Sequence, residues 1–184
     1  MKYPEFQELH TARLQLRKIR MTDLQNYYTR LGSSEAVTRY MLFQPHKSVE
    51  ESRASIEKWL GRYEAGKCYH WAIALRETDE LIGVIDLLRF DEEAESASFA
   101  YMLGEKFWNQ GFGSEAVRAV FDFGFREMGL AFIEADHMEE NGASGAVMRK
   151  CGMVYQRTEP EKYEKNGRKH NAVVYRITRK DWMK

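Results

Sequence analysis

Nine residues, Trp108 to Ala116 (WNQGFGSEA), carry the clearest chemical signal in this chain. Gly111 and Gly113, one residue apart, allow a tight turn that aims successive backbone N–H groups into one concavity. A helix starting near Ser114 adds unpaired N–H donors and roughly half a positive charge at its N-terminus. Such a place suits a phosphate or pyrophosphate. The same glycines would also serve a plain strand-to-helix turn, and the stretch alone leaves both readings open. Two familiar phosphate loops do not fit. No lysine follows Gly113, as a Walker loop requires. A dinucleotide fingerprint would place its third glycine at Ala116 and a ribose-binding acid roughly 20 residues on, and no such acid is evident.

A second stretch lies downstream. Asn141-Gly142-Ala143-Ser144 precedes Val147 to Met153, so Asn141 could cap a helix with Ser144 in its first turn. Either residue alone is ordinary; their spacing from the glycine loop makes them candidates.

The elements around these stretches are legible from periodicity. Arg13-Leu14-Gln15-Leu16-Arg17 alternates as a half-buried strand does. Thr22 or Asp23 can cap a helix with Leu24, Tyr27, Tyr28 and Leu31 on one face. Ser48 to Glu51 reads as a capping box opening a second helix, with Ser52, Ile56, Trp59, Leu60 and Tyr63 aligned and Gly66 closing it. Strands follow at Tyr69 to Leu75 and Leu81 to Leu88, joined by a polar turn at Thr78-Asp79. Ala97, Phe99, Tyr101 and Leu103 then alternate as a strand leading into the glycine loop. Val117, Val120, Phe121, Gly124, Phe125 and Met128 mark the longest helical stripe, ended by Gly129. Phe132 to Met138 reads as a strand, Ala143 to Cys151 as a short helix, and Met153-Tyr155 and Val173-Ile177 as closing strands. The order β-α-α-β-β-β-loop-α-β-α-β-β implies a mixed α/β sheet flanked by helices.

Composition sets outer limits. A chain of 184 residues, 43% hydrophobic and 13% aromatic, can bury a sizeable core. No linker or repeat interrupts it, so one domain over residues 1–184 is expected. Lys+Arg and Asp+Glu both number 28, which argues against a nucleic-acid or membrane-surface partner. Between Glu161 and Lys184 eight basic residues face three acids, a run that reads as solvated surface or as an attraction for an anion. Cys68 and Cys151 lack metal-ligand spacing and fit free thiols in a reducing compartment. No signal-peptide core and no apolar run of roughly 20 residues is present, so a cytoplasmic protein is expected.

Taken in order, these pieces resemble the GNAT acetyltransferase superfamily, and within it the ribosomal-protein N-acetyltransferase (RimJ and RimL) branch. The matching stretches are Thr11 to Arg17, Trp71-Ala72-Ile73, Ile82-Gly83 and Ala100-Tyr101-Met102-Leu103. They continue through Trp108 to Ala116, Asn141 to Ser144 and Arg149 to Met153, spanning a core of roughly 11–178. The resemblance implies a single-domain α/β (α+β) fold with a mixed, mostly antiparallel twisted sheet. It implies acetyl-CoA as cosubstrate, with no metal, and transfer of the acetyl group to a primary amine by direct attack. Backbone N–H groups of Gln110, Gly111, Phe112, Gly113 and Ser114 would hold the pyrophosphate. Tyr101, Met102 and Leu103 would pair with the pantetheine arm and polarise the thioester carbonyl. Asn141 would bond the pantetheine, and Ser144 would lie near the sulfur and help protonate the departing thiolate. Cys151 needs no nucleophilic role and reads as a small core residue.

Two departures matter. Asn109 stands where the branch has glycine after the tryptophan, a change tolerable if that position needs no positive φ. Gly113 replaces the usual small residue, which would loosen the loop. The resemblance does not fix the base that deprotonates the amine, and Glu161, His137 and Glu139 each remain candidates. The acceptor is a protein N-terminus or a small molecule, recognised by the aromatic and acidic residues between Tyr27 and Trp59. The chain is expected to be a monomer or homodimer. A non-catalytic acyl-CoA-binding module is the alternative; a nucleotide-binding protein fits less well without a phosphate-loop lysine or a Mg²⁺-ligand pattern.

Overall fold

Alternating apolar residues build the strands at the centre of the molecule. The computed structural model, which describes residues 1–66 and 68–184, joins eight strands in one sheet. They are β1 (Leu9–His10), β2 (Leu14–Arg17), β3 (Tyr69–Leu75), β4 (Leu81–Asp91), β5 (Ser96–Leu103), β6 (Phe132–Met138), β7 (Val154–Lys165) and β8 (Arg168–Thr178). Across the sheet the order is β1-β2-β3-β4-β5-β6-β8-β7. All neighbours are antiparallel except β5 and β6, which run parallel. The mixed, mostly antiparallel α/β sheet expected from the residues is the one the chain forms.

Helices cover both faces. They are α1 (Leu24–Tyr27, extended by a π-type turn over Tyr28–Gly32), α2 (Glu35–Thr38), α3 (Val49–Glu64), α4 (Phe112–Asp122, extended over Phe123–Glu127), α5 (Gly142–Lys150) and α6 (Arg179–Trp182). On one face Leu14, Leu16, Trp71, Ile85 and Phe99 pack with Val117, Val120 and Phe121 of α4 and Met148 of α5. On the other, Ala72 and Val84 meet Tyr27 and Leu31 of α1 and its extension, Val37 of α2 and Ile56 of α3. The stripe of α4 is buried, those of α1 and α3 are buried at Tyr27, Leu31 and Ile56 and half-buried at Leu24, Trp59, Leu60 and Tyr63, and Gly66 and Gly129 close their helices at φ 76° and 71°.

The parallel pair is the exception that makes a site. β5 and β6 pair only at Ser96↔Phe132, Ala97↔Ile133 and Ser98↔Glu134. Beyond that register β5 continues to Leu103 and β6 to Met138, so the two strands part.

Several expectations are corrected. β7 and β8 are far longer than Met153-Tyr155 and Val173-Ile177, and they form a hairpin through Asn166 and Gly167 at φ 53° and 70°. The polar residues 156–165 gave no alternation because this edge strand buries little. Asp23 does not cap α1. Its carboxylate instead pairs with Arg17 at 2.8 Å, and that arginine, expected to face solvent, is buried. A buried guanidinium must be fully paired, and Asp79 supplies its second carboxylate at 2.6 Å. Ser48 caps α3 as expected, but Glu51 returns its bond to the N–H of Lys47 rather than to that of Ser48. Among the described residues no helix is long and apolar enough to cross a membrane.

Candidate active site

The glycine loop emerges from the end of β5. The Trp108 indole N–H donates to the Leu103 carbonyl at 2.7 Å, tying the loop back to the strand. Asn109 then turns at φ 59° and Gly111 at φ 82°. The position after the tryptophan therefore does need a positive φ, and asparagine meets that need because it tolerates the left-handed region better than other side chains. Gly111 is the N-cap of α4, which starts at Phe112, two residues before the expected Ser114. Gly113 is already helical, so the tight turn rests on Asn109 and Gly111 rather than on the glycine pair. A Cβ at Gly113 would touch Tyr101 at 3.5 Å, an ordinary contact, so no looseness at this position is required by the packing.

No side chain caps α4. Its first N–H groups have no partner within the helix. The single carboxylate of its first turn, Glu115, is turned away to a different task. It accepts from the Thr11 hydroxyl at 2.6 Å, the Arg13 N–H at 3.0 Å and the Arg13 Nε at 2.7 Å. Burial alone would raise the Glu115 carboxyl, but these bonds outweigh it and hold the group below its ordinary value. Arg13 also donates to the Gln110 carbonyl at 3.0 Å and lies 4.1 Å over the Phe112 ring. The segment before β2 thus latches the loop, and the anion-repelling charge of Glu115 is neutralised.

Asn141 caps α5, its Oδ1 accepting from the Ser144 N–H at 3.3 Å. Ser144 follows in the first turn and lies beside Tyr101. Burial pushes the Tyr101 phenol up to about 12, an effect the Ser144 hydroxyl partly offsets. The phenol therefore keeps its proton at neutral pH. Cys151 is buried, its thiol 3.6 Å from the Ser114 carbonyl, and burial raises it to about 11. It is a packed thiol, as the sequence indicates.

Two cavities meet at this point. The larger, about 460 Å³, runs from Trp108, Gly111, Gly113 and Ser114 past Met102 and Leu103. The smaller, about 290 Å³, continues toward Ala135, Asp136, His137 and Tyr163. Tyr40, Met41, Tyr101, Asn141 and Ser144 line both. Gly111, Gly113 and Ser114 of the loop, Tyr101 to Leu103 of β5, and Asn141 and Ser144 of α5 are gathered around the gap between β5 and β6, whereas Gln110 and Phe112 line neither cavity. The space has the form of two arms joined at Tyr40, Met41, Tyr101, Asn141 and Ser144.

The three candidate bases separate. His137 lines the smaller cavity, its Nδ1 bonded to the Met138 carbonyl at 2.7 Å and its buried Nε2 without a protein partner. The bond at Nδ1 assigns the proton there and leaves the Nε2 lone pair free. That nitrogen faces α5 so closely that a Cβ at Gly145 would meet it at 2.6 Å. Glu161 is not brought to either cavity. It sits within β7, not in a loop, with its side chain exposed and paired with Lys169 at 2.7 Å. Glu139 follows the lining residue Met138 but lines neither cavity itself, and it accepts from Asn171 at 2.9 Å.

Other lining residues carry no local signal. Lys150 borders the larger cavity and supplies a cation there. Tyr163 donates a very short hydrogen bond to Asp136, which Lys162 also reaches at 2.7 Å. Burial, then that bond, drives the Tyr163 phenol well up. Asp136 lies two residues beyond Glu134, the register partner of Ser98, a relation that only the β5–β6 pairing shows, as only the hairpin register places the β7 side chains. Among the described residues, no group of three or more His, Cys, Asp or Glu could hold a metal ion.

Comparison with known proteins agrees with this geometry. The family model for the acetyltransferase (GNAT) domain matches residues 13–154. An uncharacterized N-acetyltransferase of Bacillus licheniformis, p20, is 35% identical over 136 residues, covering 74% of this chain and 76% of that protein. YoaA of Bacillus subtilis, also named an uncharacterized N-acetyltransferase, is 29% identical over 174 residues, covering 95% and 98%. Among solved structures, spermidine N-acetyltransferase from Vibrio cholerae, in complex with CoA and spermine, superposes with a TM-score of 0.80. It is 20% identical, covering 95% of this chain and 100% of that one.

Proposed function

The chain belongs to the GNAT acetyltransferase family, and on that premise we propose that it transfers the acetyl group of acetyl-CoA to a primary amine where the two cavities meet. The observation that carries this reading is the shared lining of Tyr40, Met41, Tyr101, Asn141 and Ser144 at the gap between β5 and β6. A reaction between two bound substrates needs one place reachable from two sides, and the gap supplies it.

The larger cavity takes the cosubstrate. Uncapped N–H groups at the start of α4, with the helix dipole behind them, receive the pyrophosphate, and Lys150 adds a positive charge at the rim. Beyond Ser98 the edge of β5 facing β6 has no strand partner. The backbone of Tyr101, Met102 and Leu103 can therefore pair with the pantetheine amides as an added strand would. An N–H from the same edge polarises the thioester carbonyl and stabilises the oxyanion as it forms. Asn141 keeps its side-chain amide N–H₂ for the pantetheine while its oxygen caps α5.

The acceptor amine enters from the smaller cavity and attacks the thioester carbon as a neutral nucleophile. Of the three candidate bases His137 alone lines that cavity, but its Nε2 is buried against Gly145 of α5 and is not turned to the amine, so a bound water relayed by backbone groups takes the amine proton. The C–S bond then breaks, and the thiolate receives a proton from Ser144 or from Tyr101, whose phenol burial keeps protonated. Glu161 and Glu139 are given no part. The acceptor is a small amine or a protein N-terminus, with the ribosomal-protein branch as the source of the second. The name of the Vibrio cholerae neighbour supports the first. Residues 1–184 act as one transferase domain.

A thiol-release assay with acetyl-CoA, a panel of N-terminal peptides and a panel of small amines tests the proposal. Turnover with either class supports it and identifies the acceptor. CoA binding by calorimetry with no turnover across both panels points to a binding module instead, and absence of CoA binding overturns the reading.

A further inference from the structure

Lys165 stands at the end of β7, next to the Asn166-Gly167 turn, far in sequence from the glycine loop. Its ammonium group nevertheless reaches the loop that follows α2. It donates to the carbonyls of Thr38 and Phe43, each at 3.0 Å, and to that of Met41 in a very short hydrogen bond. An ammonium has three N–H donors, and here all three are spent on backbone carbonyls of one six-residue segment. Thr38 is the last residue of α2, so part of the charge sits at the negative end of a helix. A second bond, Gln44 Nε2 to Asn166 Oδ1 at 2.7 Å, ties the same two segments. Burial holds the Lys165 ammonium below its ordinary value, which marks it as drawn out of bulk water.

The clasped segment is not a remote surface loop. Tyr40 and Met41 line both cavities, and Leu42 lines the smaller one. From the same strand as Lys165, Tyr163 forms part of the smaller cavity's wall. One edge strand therefore contributes a wall residue and, two positions on, holds the facing wall in place. Other contacts hold only parts of the segment: Thr38 is buried with its hydroxyl donating to the Ser34 carbonyl at 2.8 Å and Phe43 packs on His46, while Leu42 is 62% exposed and α2 is a single turn of four residues.

We propose that Lys165 is a positioning residue that clamps Thr38 to Phe43 into the conformation that walls the acceptor arm. The inference rests on the transferase reading for its kinetic consequence but not for the clamp itself. Without the ammonium three carbonyls lose their shared donor, and Tyr40 and Met41 lose their fixed place at the junction. The acceptor, held on that side by this segment, suffers most. The cosubstrate keeps the α4 N-terminus and the β5 edge, and suffers less.

The test compares the wild type with Lys165→Met, which keeps the apolar stem, and with Lys165→Arg, which restores donors. Two readouts are taken: steady-state kinetics with the acceptor found in the panel, and the rate of tryptic cleavage after Arg39, inside the clasped segment. For Lys165→Met the expected result is an acceptor KM raised about tenfold or more, a smaller change in the KM for acetyl-CoA, and cleavage after Arg39 accelerated about tenfold. Lys165→Arg is expected to recover part of both. An acceptor KM within about twofold of wild type, or a loss of kcat that merely tracks a lower Tm at unchanged KM, overturns the proposal. If the wild type turns over no amine, the transferase reading fails first and the cleavage rate still decides the clamp: unchanged cleavage overturns it.

Discussion

Replacing Glu115 tests how the loop is held. Its carboxylate is 19% exposed and joins Thr11 and Arg13 to the first turn of α4. The bonds from the Thr11 hydroxyl and the Arg13 N–H each contribute about 1 kcal/mol. The side chain of Arg13 is 46% exposed, so its pair with Glu115 is discounted to about 0.2–1 kcal/mol. Glu115→Ala should therefore cost about 2–3 kcal/mol, and in a chain of this size about 2–4 °C in Tm for each of those kcal/mol. The pH dependence has a definite sign. Because the folded carboxyl is held below its unfolded value of about 4.3, its ionic contribution is fully present above that value. It is lost as pH falls through the lower, folded value. Thermal melts of the wild type and Glu115→Gln should differ at pH 7, differ nearly as much at pH 5, and converge as the pH falls below about 4. Since Arg13 also holds the Gln110 carbonyl, calorimetry should show CoA binding about tenfold weaker in Glu115→Ala. An unchanged Tm at pH 7 together with an unchanged Kd would refute the latch.

Other substitutions separate chemistry from framework. Ser144→Ala and Tyr101→Phe should each lower kcat with little change in either KM, by up to about a hundredfold for the one that supplies the proton, while Glu161→Gln leaves kcat within about twofold; steady-state kinetics distinguish them. Gly145→Ala drives a methyl to within 2.6 Å of His137 Nε2, beside the α5 cap, and should cost about 1–3 kcal/mol in a chemical denaturation series. Asn109→Gly should be tolerated, whereas Asn109→Val, β-branched at φ 59°, should lower Tm by several degrees through about 1–2 kcal/mol of backbone strain.

What the sequence revealed and what it concealed divide along physical lines. The helical stripe from Val117 to Met128 and the alternation from Ala97 to Leu103 were legible because each element buries one face, and burial imprints its period locally. Asn141 was legible as a cap for the same reason: the bond it makes is three residues away. The burial of Arg17 was not, since it depends on Asp23 and Asp79 arriving from different elements. The need for a positive φ at Asn109 lay in the path of the loop, which no side-chain pattern reports. Lys165 looked like one more base in a charged run, and only the β7–β8 hairpin carries it to the carbonyls near α2. The hairpin itself had a sign in the chain, Asn166-Gly167, a two-residue pair suited to the turn it makes. Glu161 was a candidate because it follows the expected strand Met153-Tyr155, and the extension of β7 along β8 keeps it away from the cavities.

The central claim is that acetyl-CoA lies across the gap between β5 and β6 with its reactive end where the two cavities join. A crystal structure of the protein with CoA tests it directly. The pyrophosphate is expected on the N–H groups from Gly111 to Ser114, the pantetheine along Tyr101 to Leu103, and the sulfur within hydrogen-bond reach of Ser144 or Tyr101. CoA bound with its sulfur outside the gap, or with its pyrophosphate away from the start of α4, would contradict it.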